Sequence, residues 1–243
     1  MIYIVGLGPG EKSQMTQKAL DAIEKSDVVA GYTVYIELIK DLITGKEVLS
    51  TAMMKEVERC KLAVIEAGKG KTVSMVSSGD AGIYGMASLM IEIANELNID
   101  TEIEVVAGIT AASSAAAVLG APLTHDFAVI SLSNLLTPWE KIEKRLDLAS
   151  QAEFIIVLYN PSSKKRKDFL KNACDIIMKN ISGDTMCGYV KNIGRDEEQG
   201  KILKLSELRE ETVDMFTTVV IGNSTTKLIK GKLVTPRGYR IDG

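Results

Sequence analysis

Short β-branched runs alternate with amphipathic helical patterns along the first half of the chain, and this alternation restricts the fold more than any other feature. "IYIVGLG" is followed by "QKALDAIEKS", then "DVVAGY", then "TVYIELIKDLI", a βαβα order that predicts parallel strands joined by crossover helices. The rhythm continues through a helix expected over Met53–Ala67, the strand "TVSMVSS", a helix over Met86–Glu96, the strand "EIEVVAG" and the helix "AASSAAAVLG". The fold class is α/β, with a mostly parallel amino-terminal sheet covered by helices. Around "GAPLTHD", Gly120–Asp126, proline and glycine break the rhythm before new strands begin with "FAVISLS", "EFIIVLYN" and "TMCGYVKN". A lobe boundary is expected there, giving lobes of residues 1–119 and 120–243. The second lobe reads as a helix over Pro138–Ala149, another over Lys164–Lys179, a late strand "TTVVIGN" and a final segment, "KLIKGKLVTPRGY", that is extended or loop.

Composition narrows the function classes. A chain of 243 residues with 46% hydrophobic content can bury a substantial core. Its apolar runs are short and broken by charge, and Met1 leads directly into "IYIVGLGPG", so neither a signal peptide nor a membrane span is expected and the chain reads as cytoplasmic. Cys60, Cys174 and Cys187 are far apart in sequence, which points to buried thiols and to no protein-held metal centre. A net charge of -3 gives no global attraction to nucleic acid.

Two glycine motifs resemble phosphate loops without satisfying them. "GLGPG", Gly6–Gly10, follows a strand, but Glu11 stands where the third glycine of a dinucleotide fingerprint belongs and Pro9 lacks an amide. It reads either as a plain turn or as a wall facing a ligand. "GKGKT", Gly68–Thr72, has Ile65 in place of the leading glycine of a P-loop and precedes a strand; it reads as a helix-ending loop. The stretch "SSGDAGIYG", Ser77–Gly85, lies at the carboxyl edge of the sheet, the usual ligand edge of open α/β folds. There Asp80 is either a cap for the following helix or part of a ligand site. The next strand end, "AGITAA", offers Thr110 as a cap and small side chains that leave room for a neighbour.

In order and spacing, "GLGPG", "SSGDAGIYG", "AGITAASSAAAVLGAPL" and "YVKNIGR" resemble the S-adenosylmethionine-dependent tetrapyrrole methyltransferases over nearly the whole chain. Within that family, "HDFAVISLSNLLTPWEKIEKRL", "LYNPSSKKR" and "VTPRGY" look most like the subgroup that methylates ring carbon 17 of precorrin-3B or of its cobalt counterpart, cobalt-factor III. The resemblance implies two α/β lobes, the second with a mixed sheet, an active site in the cleft between them, and a homodimer. It also implies S-adenosyl-L-methionine as cofactor and S-adenosyl-L-homocysteine as product. By residue-to-residue carry-over, Pro9 borders the cofactor, Gly79, Asp80 and Ile83 contact it from the second motif, and Thr110 and Ala111 from the third. From the second lobe, Tyr159, Asn160, Asn192 and Ile193 complete the set.

The chemistry that follows is methyl transfer to a ring carbon with contraction of the macrocycle, in cobalamin biosynthesis. Alignment of an already activated methyl group supplies much of the rate, without a nucleophilic side chain. Lys164, Lys165, Arg166, Lys191 and Arg195 are candidates to meet the substrate carboxylates; the Lys164–Arg166 run equally suits a solvated helix start. His125, the lone histidine, is a candidate acid or base with Asp126 to orient it, or a structural residue. Trp139 reads as a packing residue. Neither nucleic acid nor membrane is an expected partner; the substrate is a tetrapyrrole, metal-free or cobalt-loaded. The rivals are another tetrapyrrole methyltransferase, a same-fold methyltransferase acting on RNA or protein, a nicotinamide-dependent oxidoreductase, and a noncatalytic cofactor-binding module.

Overall fold

The computed structural model describes residues 1–163 and 165–240. The chain forms two compact units, Met1–Ala111 and Ala112–Gly243. In the first unit the strands are β1 (Ile2–Gly6), β2 (Val28–Tyr32), β3 (Glu47–Thr51), β4 (Val73–Ser77) and β5 (Ile103–Val106), paired in the order β3-β2-β4-β1-β5. All four pairings are parallel. Helices α1 (Gln17–Lys25), α2 (Thr33–Leu38), α3 (Glu56–Gly68) and α4 (Ala87–Glu96) cover the sheet.

Strand alternation divides the core in two. Ile2, Ile4, Val73 and Met75 point to one face and bury Cys60, Ala63 and Val64 of α3 and Met90 of α4. Val5, Val29 and Val76 point to the other and bury Ala19, Ala22 and Ile23 of α1. The Thr16 hydroxyl caps α1 by accepting from the Ala19 amide at 3.1 Å, and it donates to the Ala107 carbonyl at 3.4 Å. One side chain thereby ties the start of α1 to the end of β5.

The second unit contains α5 (Ala111–Leu119), which starts on the last residue of the first, then β6 (Gly120–Ala121), β7 (Phe127–Ser131), α6 (Trp139–Gln151), β8 (Ile155–Tyr159) and α7 (Phe169–Ile177). It continues with β9 (Met186–Lys191), β10 (Gln199–Lys204), α8 (Leu205–Leu208), β11 (Thr217–Ile221), β12 (Lys227–Ile229) and β13 (Lys232–Val234). The larger sheet, β10-β9-β11-β8-β7, is mixed: only β7 and β8 run parallel. A smaller sheet, β12-β13-β6, turns the final segment into a hairpin.

Three sequence expectations change in detail. Helix α5, expected in the first lobe, belongs with the second unit because Leu119 packs on Gly188 of β9, where an added Cβ would lie 2.8 Å from Leu119 Cδ2. Helix α3 begins at Glu56, not Met53, since Met54 takes a left-handed φ of 67°. Helix α7 begins at Phe169 after a turn, and Lys164, the expected first residue, lies outside the described residues. Among the described residues no helix is long and apolar enough to cross a membrane.

Candidate functional site

Strand β1 lies between β4 and β5 and runs parallel to both, so the three carboxyl ends emerge side by side. There the backbones meet without side chains between them. A Cβ on Gly108 would fall 2.2 Å from the Gly79 carbonyl oxygen and 2.6 Å from the Gly6 carbonyl carbon; one on Gly6 would fall 2.7 Å from the same Gly79 oxygen. Gly8, at φ +72°, exchanges two hydrogen bonds with Gly79, its amide donating at 3.0 Å and accepting through its carbonyl at 2.8 Å. The "GLGPG" turn is thus stitched to "SSGD" as a continuation of the sheet, with Pro9 buried beside it.

Asp80 does not cap the following helix. Helix α4 starts seven residues further on, at Ala87, with Met86 as an N-cap that makes no side-chain bond. Instead the Asp80 carboxylate accepts the Gly82 amide at 2.8 Å and the Gly108 amide at 3.0 Å, closing its own turn and joining the ends of β4 and β5. Four glycine amides here are therefore engaged: Gly8 and Gly79 bind each other, Gly82 and Gly108 bind Asp80. An anion site needs the reverse, amides aimed outward and no carboxylate beside them. Ile83 and Tyr84 stand exposed at the edge of this turn, Tyr84 at a left-handed φ of 53°. Thr110 and Ala111 are half-buried where the chain passes from β5 into α5.

In the second unit, pairing of Thr217 with Lys191 and of Val219 with Leu158 sets the ends of β8 and β9 on one sheet edge. Tyr159 closes β8 and its hydroxyl accepts the Ala112 amide at 2.7 Å, satisfying one of the unpaired donors in the first turn of α5. Asn160, at φ 52°, donates from Nδ2 to the Ser131 hydroxyl at 3.0 Å, locking the ends of β7 and β8 together. Asn192 takes a φ of 53° and its amide donates to the Phe216 carbonyl at 3.1 Å. Ile193 is buried.

The candidate cations differ in availability. Lys191 pairs with Asp214 at 2.9 Å. Burial pushes the Asp214 carboxyl up, but bonds from Lys191, the Phe216 amide and the Thr217 hydroxyl outweigh it and hold the group below its ordinary range. Arg166 is folded onto its own unit, donating to the Ser163 hydroxyl at 3.1 Å and the Leu132 carbonyl at 3.4 Å, and burial lowers its pKa. Arg195 lies over the Phe216 ring at 5.5 Å and Lys165 is exposed; among the described residues neither forms an ion pair. His125 and Asp126 sit exposed in the turn before β7, and the Asp126 carboxylate makes no hydrogen bond to the imidazole. Asp126 instead contributes its backbone carbonyl to the Ile155 amide at 3.2 Å, so the expected orienting contact is absent from this conformation. Trp139 packs, as expected, its ring 4.5 Å from that of Phe169.

Sequence reasoning missed Gly6 and Gly108 as the contacts that bring the strand ends together, and Ser131 as the partner of Asn160. The signal for Gly108 was present: a lone glycine before "ITAA" at a strand end, where close backbone approach is the usual reason for the residue.

The profile of the tetrapyrrole (corrin/porphyrin) methylases matches residues 1–209. A protein of Salmonella typhimurium named as a probable cobalt-factor III C(17)-methyltransferase is 43% identical over 241 residues, spanning 99% of this chain and 100% of that one. A precorrin-3B C(17)-methyltransferase of a Sinorhizobium species is 34% identical, over 98% of this chain and 96% of its own. Among solved structures, that of the methyltransferase CobJ superposes with a TM-score of 0.90 at 33% identity, covering 97% of this chain and 99% of the other. Methyltransferases thus match the two α/β units along nearly their whole length. The chain belongs to the tetrapyrrole (corrin/porphyrin) methylase family.

Proposed function

We propose that this chain transfers the methyl group of S-adenosyl-L-methionine to ring carbon 17 of a precorrin, with associated contraction of the macrocycle, in cobalamin biosynthesis. The observation that supports the cofactor is the carboxylate of Asp80 at strand ends where the amides of Gly8, Gly79, Gly82 and Gly108 are already engaged. A phosphate would be repelled there; a ligand without phosphate and with cationic groups fits. When bound, this cofactor supplies a methyl group activated by its sulfonium. The chain's part is to hold and orient it, through Pro9, Gly79, Asp80 and Ile83, through Thr110 and Ala111, and through Tyr159, Asn160, Asn192 and Ile193.

The acceptor follows from the relatives. Higher identity to the cobalt-factor III enzyme (43%) than to the precorrin-3B enzyme (34%) favours the cobalt-loaded tetrapyrrole as substrate. In this reading cobalt belongs to the substrate and is not a resident cofactor, in keeping with the name of the Salmonella relative. Lys164, Lys165, Arg166, Lys191 and Arg195 are the cations that meet its carboxylates in this reading, and of these Lys191 must exchange its partner Asp214 for the substrate. His125 serves as the acid or base of ring contraction, with Asp126 beside it in sequence as the residue to orient it. Three buried, unpaired thiols suit a reducing cytoplasm; the homodimer belongs to the same proposal and is read by sedimentation.

The test is anaerobic incubation with S-adenosylmethionine and, separately, cobalt-factor III and precorrin-3B, followed by mass spectrometry. One methyl gained on cobalt-factor III supports the reading. No gain on either, with cofactor binding established by calorimetry, overturns it.

A further inference from the structure

We propose that Leu135 and Leu136 form the apolar seat for one face of the tetrapyrrole macrocycle, an inference that rests on the function proposed above. The two side chains are adjacent and 67% and 99% exposed. One exposed leucine is ordinary on a protein surface; two in succession on a loop pinned at both ends are not explained by packing. At one end Leu132 is fully buried, its amide donating to the Tyr159 carbonyl at 2.9 Å, while the Ser133 amide donates to the Ser131 hydroxyl at 3.2 Å. At the other, Pro138 opens α6 and Trp139 rests on Phe169.

This short loop rises from the sheet edge that carries Tyr159 and Asn160, and its base at Ser131 is held to both by the β7–β8 pairing and the Asn160 bond. Arg166 reaches the base of the same loop through the Leu132 carbonyl. A guanidinium at the base of a loop that carries two exposed leucines complements a flat, apolar ring with carboxylates on its rim. The leucines act as positioning residues for substrate and take no part in the chemistry.

The experiment compares the wild-type chain with Leu135→Ser/Leu136→Ser and with Leu135→Met/Leu136→Met. Burying leucine side chains against a ligand is worth enough that losing both should raise KM for the tetrapyrrole about tenfold or more. The expected result is that rise with kcat, S-adenosylhomocysteine affinity and melting temperature unchanged, and with KM restored by the methionine pair. An unchanged KM in the serine variant, or a fall in cofactor affinity alongside it, overturns the inference alone. A wild-type chain that binds no tetrapyrrole overturns the functional reading and the inference with it.

Discussion

The carboxylate of Asp80 holds the amide of Gly108 at 3.0 Å, and through that bond the ends of β4 and β5 share one support. The same carboxylate holds the Gly82 amide, so Asp80→Ala leaves two backbone donors without their partner. Hydrogen bonds to a charged group are worth ~1.5–3 kcal/mol each at most sites, and partial rehydration should return some of that. Asp80→Ala is expected to lower unfolding stability by ~1–3 kcal/mol and S-adenosylhomocysteine affinity at least tenfold, with Asp80→Asn intermediate, as read by urea titration and calorimetry.

Gly108→Ala tests the close approach directly. Its Cβ would lie 2.2 Å from the Gly79 carbonyl oxygen, a backbone atom that cannot rotate aside. The strand ends must separate, at a cost on the order of 3 kcal/mol, and cofactor binding should vanish with them. Gly45→Asn is the control: Gly45 has φ +81° but nothing near its Cβ position, and asparagine tolerates the left-handed region. It is expected to bind cofactor normally.

Tyr159→Phe removes the oxygen that accepts the Ala112 amide at 2.7 Å while keeping the ring. The amide belongs to the first turn of α5, where no intrahelical acceptor exists. A melting-temperature loss corresponding to ~1–3 kcal/mol is expected, together with weaker cofactor binding through the displaced Thr110–Ala111 segment.

The three thiols should be silent in the folded protein. Burial pushes Cys60 and Cys174 up to about 12 and Cys187 higher still. A thiol reagent at pH 8 is expected to label none of them until denaturant is added, and then all three. The linkage has a definite sign: the stabilising contribution is fully present below the unfolded thiol pKa of ~8.5. Above it the unfolded chain releases protons that the folded chain retains, so stability falls as pH rises.

Much of this architecture was legible because buried strands carry runs rich in β-branched residues, as in β8 and β11, and their neighbours carry helical periodicity. Strands β3 and β10 were missed. Both are sheet edges with mostly exposed residues such as Glu47 and Lys201, and an edge strand needs no apolar alternation. The site was half legible. "SSGD" could be placed at a strand end from its neighbours, yet whether Asp80 caps a helix or binds Gly108 depends on a residue 28 positions away, which local pattern does not contain. The same limit hid the Tyr159–Ala112 bond, formed 47 positions apart, while Pro9 and Glu11 sufficed to argue against phosphate.

The most direct measurement of the central claim is transfer from S-adenosylmethionine labelled with carbon-13 in its methyl group, followed by NMR of the tetrapyrrole product. The expected product carries a single labelled methyl attached to ring carbon 17, in a macrocycle that has lost carbon 20 from its ring. Label on another carbon, on a heteroatom, or nowhere in the tetrapyrrole would contradict it.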